Sequence, residues 1–174
     1  MTHPVVTLTW PELLEAAQVG VMRQICNMRD GRRSRYGDMD KGDSLWGFHV
    51  NGVAAEMAVA KYFNLLWSGG LGDRKKRDVG NMLDVRSRSL DWQDLDLKDD
   101  DPPDVPFVHV WAHPPLFDLY GWVYAREGQL ETLRKQLKPD SPADFFVPRS
   151  KLRDMSELVT WVRQRVVQQY DAAA

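Results

Sequence analysis

Residues 52–60 read Gly-Val-Ala-Ala-Glu-Met-Ala-Val-Ala, and this run does most to narrow the fold. Val50, Val53, Ala54, Met57, Ala60, Lys61 and Phe63 recur with the period of a helix from about His49 to Leu65. Gly52, Ala54, Ala55, Ala58 and Ala60 make that helix small-sided. Small side chains let a helix sit close against a sheet, so the chain is expected to lay this helix on strands. Glu56 is the exception, an acid amid the small residues.

The strands follow. Met82 to Ser89 alternates between apolar and polar residues, and Leu90 to Leu97 does so more weakly. Phe107 to Ala112 carries apolar residues on both faces, the mark of a central strand. His113-Pro114-Pro115 breaks it, and Asp118 to Arg126 reads as the next strand. Residues 99–106 form a polar, proline-rich turn, Leu130 to Leu137 suits a short helix, and Phe145 to Val147 a short strand. Before all of this, Thr9 caps a helix with Glu12 closing a capping box and Pro11 in the first turn. Leu13, Leu14, Ala17, Val21, Met22, Ile25 and Cys26 carry that helix to about Met28, where Asp30-Gly31 ends it. Residues 30–47 are polar and basic without a period, a long loop expected to be the most mobile segment. Ser156 caps a last helix through about Tyr170, with Leu158, Val159, Val162, Val166 and Val167 on its face. The order predicts an α/β or α+β fold, a central mixed sheet of about four to five strands flanked by helices. One domain over residues 1–174 is expected: N-terminal helix 9–28, loop 30–47, core 49–125, and C-terminal strand and helix 144–170.

Composition bounds the function. The chain has 174 residues, 43% hydrophobic and 28% charged, ordinary for a soluble globular protein. No apolar run reaches the ~18 residues of a membrane span, and the first residues lack the pattern of a signal peptide. The single Cys26 forms no internal disulfide and suits a buried thiol in a reducing, cytoplasmic setting. The seven Trp read as core filler. A net charge of −2 decides nothing about nucleic acid, but its distribution is informative. Arg23, Arg29, Arg32, Arg33 and Arg35 form one basic run, Arg74, Lys75, Lys76 and Arg77 another, and Arg149, Lys151 and Arg153 a third. Asp91, Asp94, Asp96, Asp99, Asp100, Asp101 and Asp104 form one acidic run. Such segregation fits a basic face that meets phosphates and an acidic far side; each run also suits a solvated loop.

The chemistry concentrates in Asp78 to Arg88. Side chains two apart on a strand share a face, so Asp84 and Arg86 project together and Val85 opposes them. A tight turn at Gly80-Asn81 folds Asp78 back over the same point, and Glu56 on the adjacent helix adds a third carboxylate. Hard Mg²⁺ is held by one or two carboxylates with water and phosphate, which suits cleavage of phosphodiesters. Each residue has a plainer use: Asp78 shapes the turn, Asp84, Arg86 and Arg88 line an edge strand, and Glu56 pairs with a surface lysine.

This order resembles the PD-(D/E)XK nuclease superfamily of restriction-endonuclease-like fold, small phage and bacterial type. The resemblance lies in Gly52-Val53-Ala54-Ala55-Glu56, Asp78-Val79-Gly80 and Leu83-Asp84-Val85-Arg86, with the later strands at Val108 to Trp111 and Gly121 to Val123. It implies a DNA nuclease using Mg²⁺ or Mn²⁺, from a phage or mobile element. Asp78 and Asp84 would be metal ligands and Glu56 an accessory ligand. Arg86 would stand where the family usually has lysine; arginine holds a phosphate but is never deprotonated, so it is no base. Arg32, Arg33, Arg35, Arg74, Lys75, Lys76, Arg77 and Arg88 would meet the DNA backbone. The alternative is a catalytically inactive module of the same fold that binds DNA or a protein. The oligomeric state is left open, a homodimer among the options. His109 and His113 would share a strand face about 13 Å apart, too far for one zinc ion.

Overall fold

A computed structural model describes residues 3–31, 44–67, 69–70, 76–137, 139 and 141–171. The elements in chain order are β1 (Val5–Thr7), α1 (Trp10–Arg29), α2 (Ser44–Tyr62), β2 (Asp84–Arg88), β3 (Leu95–Leu97), β4 (Pro106–His113), β5 (Leu116–Tyr124), α3 (Ala125–Gly128), β6 (Arg134–Lys135), β7 (Asp144–Val147) and α4 (Met155–Asp171). They form a mixed α+β fold with two sheets. The larger has the order β1-β5-β4-β2, with β2 parallel to β4 and the other pairs antiparallel. The smaller is antiparallel, β3-β7-β6.

The small-sided helix lies on the larger sheet as its composition requires. Val53, Ala54, Ala55, Ala58, Val59 and Ala60 are buried in one core cluster with Val85, Val108, Val110, Phe117 and Leu119 of the sheet. Met155, Leu158 and Val162 of α4 join this cluster, so two helices share that face. Phe107 and Val123 face the other way, into a second cluster with Leu95, Leu97, Phe145 and Val147. β4 is the strand with apolar neighbours on both sides, and it sits between β5 and β2 as its double-faced pattern predicts.

Some boundaries differ from expectation. α2 starts at Ser44, so the end of the expected loop 30–47 is helical; residues 32–43 lie outside the described residues. β1 has no counterpart in the sequence reading, because its three residues gain their stability only from pairing with β5. The expected helix at 130–137 is a single 3-10 turn, Glu131–Leu133, followed by β6, whose Arg134 pairs with Phe145 of β7. Arg126 belongs to α3 and not to the strand before it. Tryptophan is not chiefly core filler: Trp122 is buried, whereas Trp10 and Trp92 are largely exposed. Cys26 is half-buried.

One glycine pins α4 to the sheet. Gly121 has φ 145°, and a Cβ there would lie 2.5 Å from the Arg153 carbonyl oxygen, where Trp122 and Arg153 exchange backbone hydrogen bonds. Gly121→Ala is expected to destabilise the protein by about 2 kcal/mol, combining backbone strain with loss of that bridge, measurable by urea unfolding.

Candidate functional site

Gly20 of α1 sets the first part of the site. A Cβ there would lie 2.6 Å from Val50 Cα, so the two helices touch backbone to backbone. This close crossing lets Arg23, almost one turn further on, reach Glu56. Arg23 Nη1 donates to Glu56 Oε1 at 2.5 Å, Nη2 donates to Oε2 at 2.8 Å, and Nε donates to the Gly70 carbonyl at 2.8 Å. Glu56 is 6% exposed, on a helix whose Ala54, Ala55, Ala58 and Ala60 are buried. Burial raises its pKa, Arg23 opposes that rise, and Asp84 adds to it.

The second part is the turn before β2. Val79 and Leu83 pair across it, and Gly80 (φ 58°) and Asn81 (φ 56°) both adopt the left-handed conformation, which glycine and asparagine tolerate. The turn returns Asp78 to the start of β2 as its residues predict. Val85 N–H donates to Asp78 Oδ2 at 2.9 Å, and Asp78 N–H reaches Asp84 Oδ1 at 3.4 Å. Arg77 Nη1 donates to Asp84 Oδ2 at 3.0 Å. Burial, then the charges of Glu56 and Asp84, push the Asp78 carboxyl from 3.8 up to about 7. The expected trio of acids therefore lies within mutual electrostatic reach.

Beyond Asp84 the two faces of β2 are used differently. Ser87 turns toward α2, since a Cβ on Gly52 would lie 3.8 Å from its Oγ. Arg86 faces the smaller sheet. Its Nη2 donates to both oxygens of Asp101 at 2.7 and 2.9 Å, its Nε to the Asp96 carbonyl at 3.3 Å, and its guanidinium lies 4.7 Å from the centre of the Phe107 ring. Arg88 Nη2 lies 2.8 Å from Asp96 Oδ1, and its Nε donates to the Asp94 carbonyl. Part of the acidic run therefore packs against the basic strand and is not a separate far side. Of the other basic residues expected to meet DNA, Lys76 is exposed and Arg77 binds Asp84, while Arg32, Arg33, Arg35, Arg74 and Lys75 lie outside the described residues.

No protein-family model matches this chain, and neither curated proteins nor solved structures give a match. The functional reading therefore rests on the site itself.

The donors present suit a hard divalent cation in kind, three carboxylates with Asp78 bonded to no cation among the described residues. As they stand, no group of three or more His, Cys, Asp or Glu among the described residues is arranged to hold an ion. Arg23 occupies both oxygens of Glu56, and Arg77 holds one oxygen of Asp84. Asp78 and Asp84 are the pair with oxygens least committed to side-chain cations.

Arg23 was legible only as part of a basic run. Its spacing from Gly20, a glycine inside an apolar helix, was the available signal for a close helix crossing. Asp96 and Asp101 were legible only as members of an acidic run; Asp96 between Leu95 and Leu97 in an apolar strand marks an acid that needs a buried partner. His3 and His113 share one acid, while His49 meets Asn27 of α1. His3 Nε2 and His113 Nε2 lie 2.5 and 2.6 Å from the two oxygens of Asp118. His109 is buried without a hydrogen-bond partner among the described residues, and burial together with Arg88 and Arg149 pulls its pKa down to about 3. Among the described residues, no helix is long and apolar enough to cross a membrane.

Proposed function

We propose that this protein is a metal-dependent DNA nuclease, with Asp78 and Asp84 holding Mg²⁺ or Mn²⁺ and Glu56 beside them as the accessory acid. The observation that carries the reading is the return of Asp78 onto Asp84 at the head of β2, beside the buried Glu56 of α2. Arg23 and Arg77 offset Glu56 and Asp84, and Asp78, bonded to no cation among the described residues, is the acid that stays costly unless something positive is held there. When bound, a divalent cation neutralises phosphate charge and makes water more acidic. The residues of the chain do the positioning. The turn and the Val85 N–H fix Asp78, and Arg77 fixes Asp84. Arg23 keeps Glu56 oriented. Lys76, two residues before Asp78 within the basic run 74–77, is exposed and is the described residue of that run free to meet a phosphate backbone. Arg86 acts through its charge, which lowers the pKa of Asp78, while its donors hold Asp101.

The expected result is Mg²⁺- or Mn²⁺-dependent nicking of plasmid DNA by the wild-type chain and none by Asp84→Ala. Nicking that needs no metal and survives Asp84→Ala would sink the proposal.

A second reading is supported by the commitment of Arg86 to Asp101 and of Arg23 to Glu56. It makes the protein a non-cleaving module that retains DNA. Binding that weakens steeply with salt, without cleavage in either metal, would favour it.

A further inference from the structure

We propose that α1 is a self-association surface, on which a second copy of this chain packs antiparallel with the two-fold axis beside Val21. The carboxylate cluster plays no part in this inference. One face of α1, with Ala16, Gly20 and Gln24, is buried on the rest of the molecule. A different face carries an apolar stripe in water: Trp10 is 76% exposed, Leu14 61%, Val21 37%, Ile25 44% and Met28 61%. Half-buried Ala17 completes it. A contiguous apolar stripe of this kind on a soluble surface marks a contact.

Two features choose the occupant. The first is the mirror symmetry of the stripe. Leu14 and Met28 lie equally far from Val21 along the helix, and so do Ala17 and Ile25. In a two-fold contact, residue i meets residue j and j meets i. An antiparallel copy centred on Val21 sets Leu14 against Met28, Ala17 against Ile25, and Val21 against itself. The second is charge. Glu12 is held by Thr9 and Lys61, and Arg23 by Glu56. The other exposed charges on α1 are Glu15 in its first half and Arg29 in its last turn. Arg29 Nε donates to Asp30 Oδ1 at 3.1 Å, yet its side chain stays 74% exposed, so that surface pair is weak and the guanidinium can still be shared. At 100° per residue they lie on the same flank of the stripe, about 40° apart. The antiparallel arrangement brings Glu15 of each copy to Arg29 of the other, whereas a parallel one sets like beside like.

Sedimentation of the full chain over a concentration series tests this. The wild type is expected to show a reversible monomer–dimer equilibrium. Val21→Glu sets two carboxylates on the axis and should raise the dimer Kd by about thirtyfold or more. Because Val21 is exposed, the circular dichroism should not change. Glu15→Arg should weaken the dimer, and the double variant Glu15→Arg with Arg29→Glu should restore it, which a nonspecific apolar contact would not do. In a Cys26→Ser background, Val21→Cys should cross-link to a dimer on mild oxidation. Leu14→Cys should do so only when mixed with Met28→Cys. A chain that sediments as a monomer up to its solubility limit, or a dimer that Val21→Glu leaves intact, would overturn the proposal.

Discussion

Asp78→Asn is expected to give a protein that is more stable than the wild type in mild base and that, under the proposed function, no longer cleaves DNA with metal. The Asp78 carboxyl is pushed from 3.8 to about 7 by burial and by the charges of Glu56 and Asp84. Between those two values the native state keeps a proton that the unfolded chain has released. Stability therefore falls as pH rises through that window, and the full penalty applies above it. Asparagine is neutral throughout and keeps an oxygen to accept the Val85 N–H bond. The gain should be about 2 kcal/mol near pH 8, after allowing for residual hydration of a half-buried side chain, and should vanish near pH 4. Urea unfolding at the two pH values measures it. Cleavage should fall at least about a hundredfold, since a neutral amide holds a hard cation poorly. A variant with unchanged stability at both pH values would show that neither burial nor the neighbouring acids raise the Asp78 pKa. Retained cleavage would remove Asp78 from the chemistry.

Arg23→Ala should cost about 3 kcal/mol of stability, because it strands a buried carboxylate. Glu56 is 6% exposed, and Arg23 donates to both of its oxygens. Burial already raises the Glu56 pKa with Arg23 present; without Arg23 it rises further. The folded pKa then lies above the unfolded one, so the deficit is largest at high pH and shrinks as pH falls and Glu56 protonates. Arg23→Lys should recover only part of the loss, since lysine offers no planar fork. Glu56→Gln in the Arg23→Ala background should recover more, because the uncompensated charge is gone. Guanidinium unfolding of the four proteins across pH separates these outcomes. A deficit that does not vary with pH would show that lost packing, and not the stranded charge, is responsible.

Much of the framework was legible because it depends on local chemistry. The Thr9–Glu12 capping box forms as its residues require, with both reciprocal contacts made. The turn at Gly80-Asn81 forms because those two residues tolerate positive φ. β4 takes its central place because only a buried strand can hide apolar residues on both faces. The partners of the charged side chains were not legible. Glu56 could have paired with any basic residue, and Arg86 with any acid, because the sequence separations are long and the choice depends on packing. Arg86 meets Asp101 because the smaller sheet folds over the face of β2 away from α2.

Sequence by itself determined that a small-sided helix lies on a mixed sheet, and that Asp78, Asp84 and Arg86 are grouped around one turn and one strand. Periodicity, turn residues and strand alternation act over a few residues and leave their mark in the chain. Tertiary structure alone decided that Arg23 neutralises Glu56, that Arg86 turns to Asp101, and that Asp78 is left as the acid with no cation bonded to it among the described residues. These outcomes follow from a close helix crossing at Gly20 and from a second sheet covering β2. Which charges meet in a low-dielectric interior depends on where those surfaces come together.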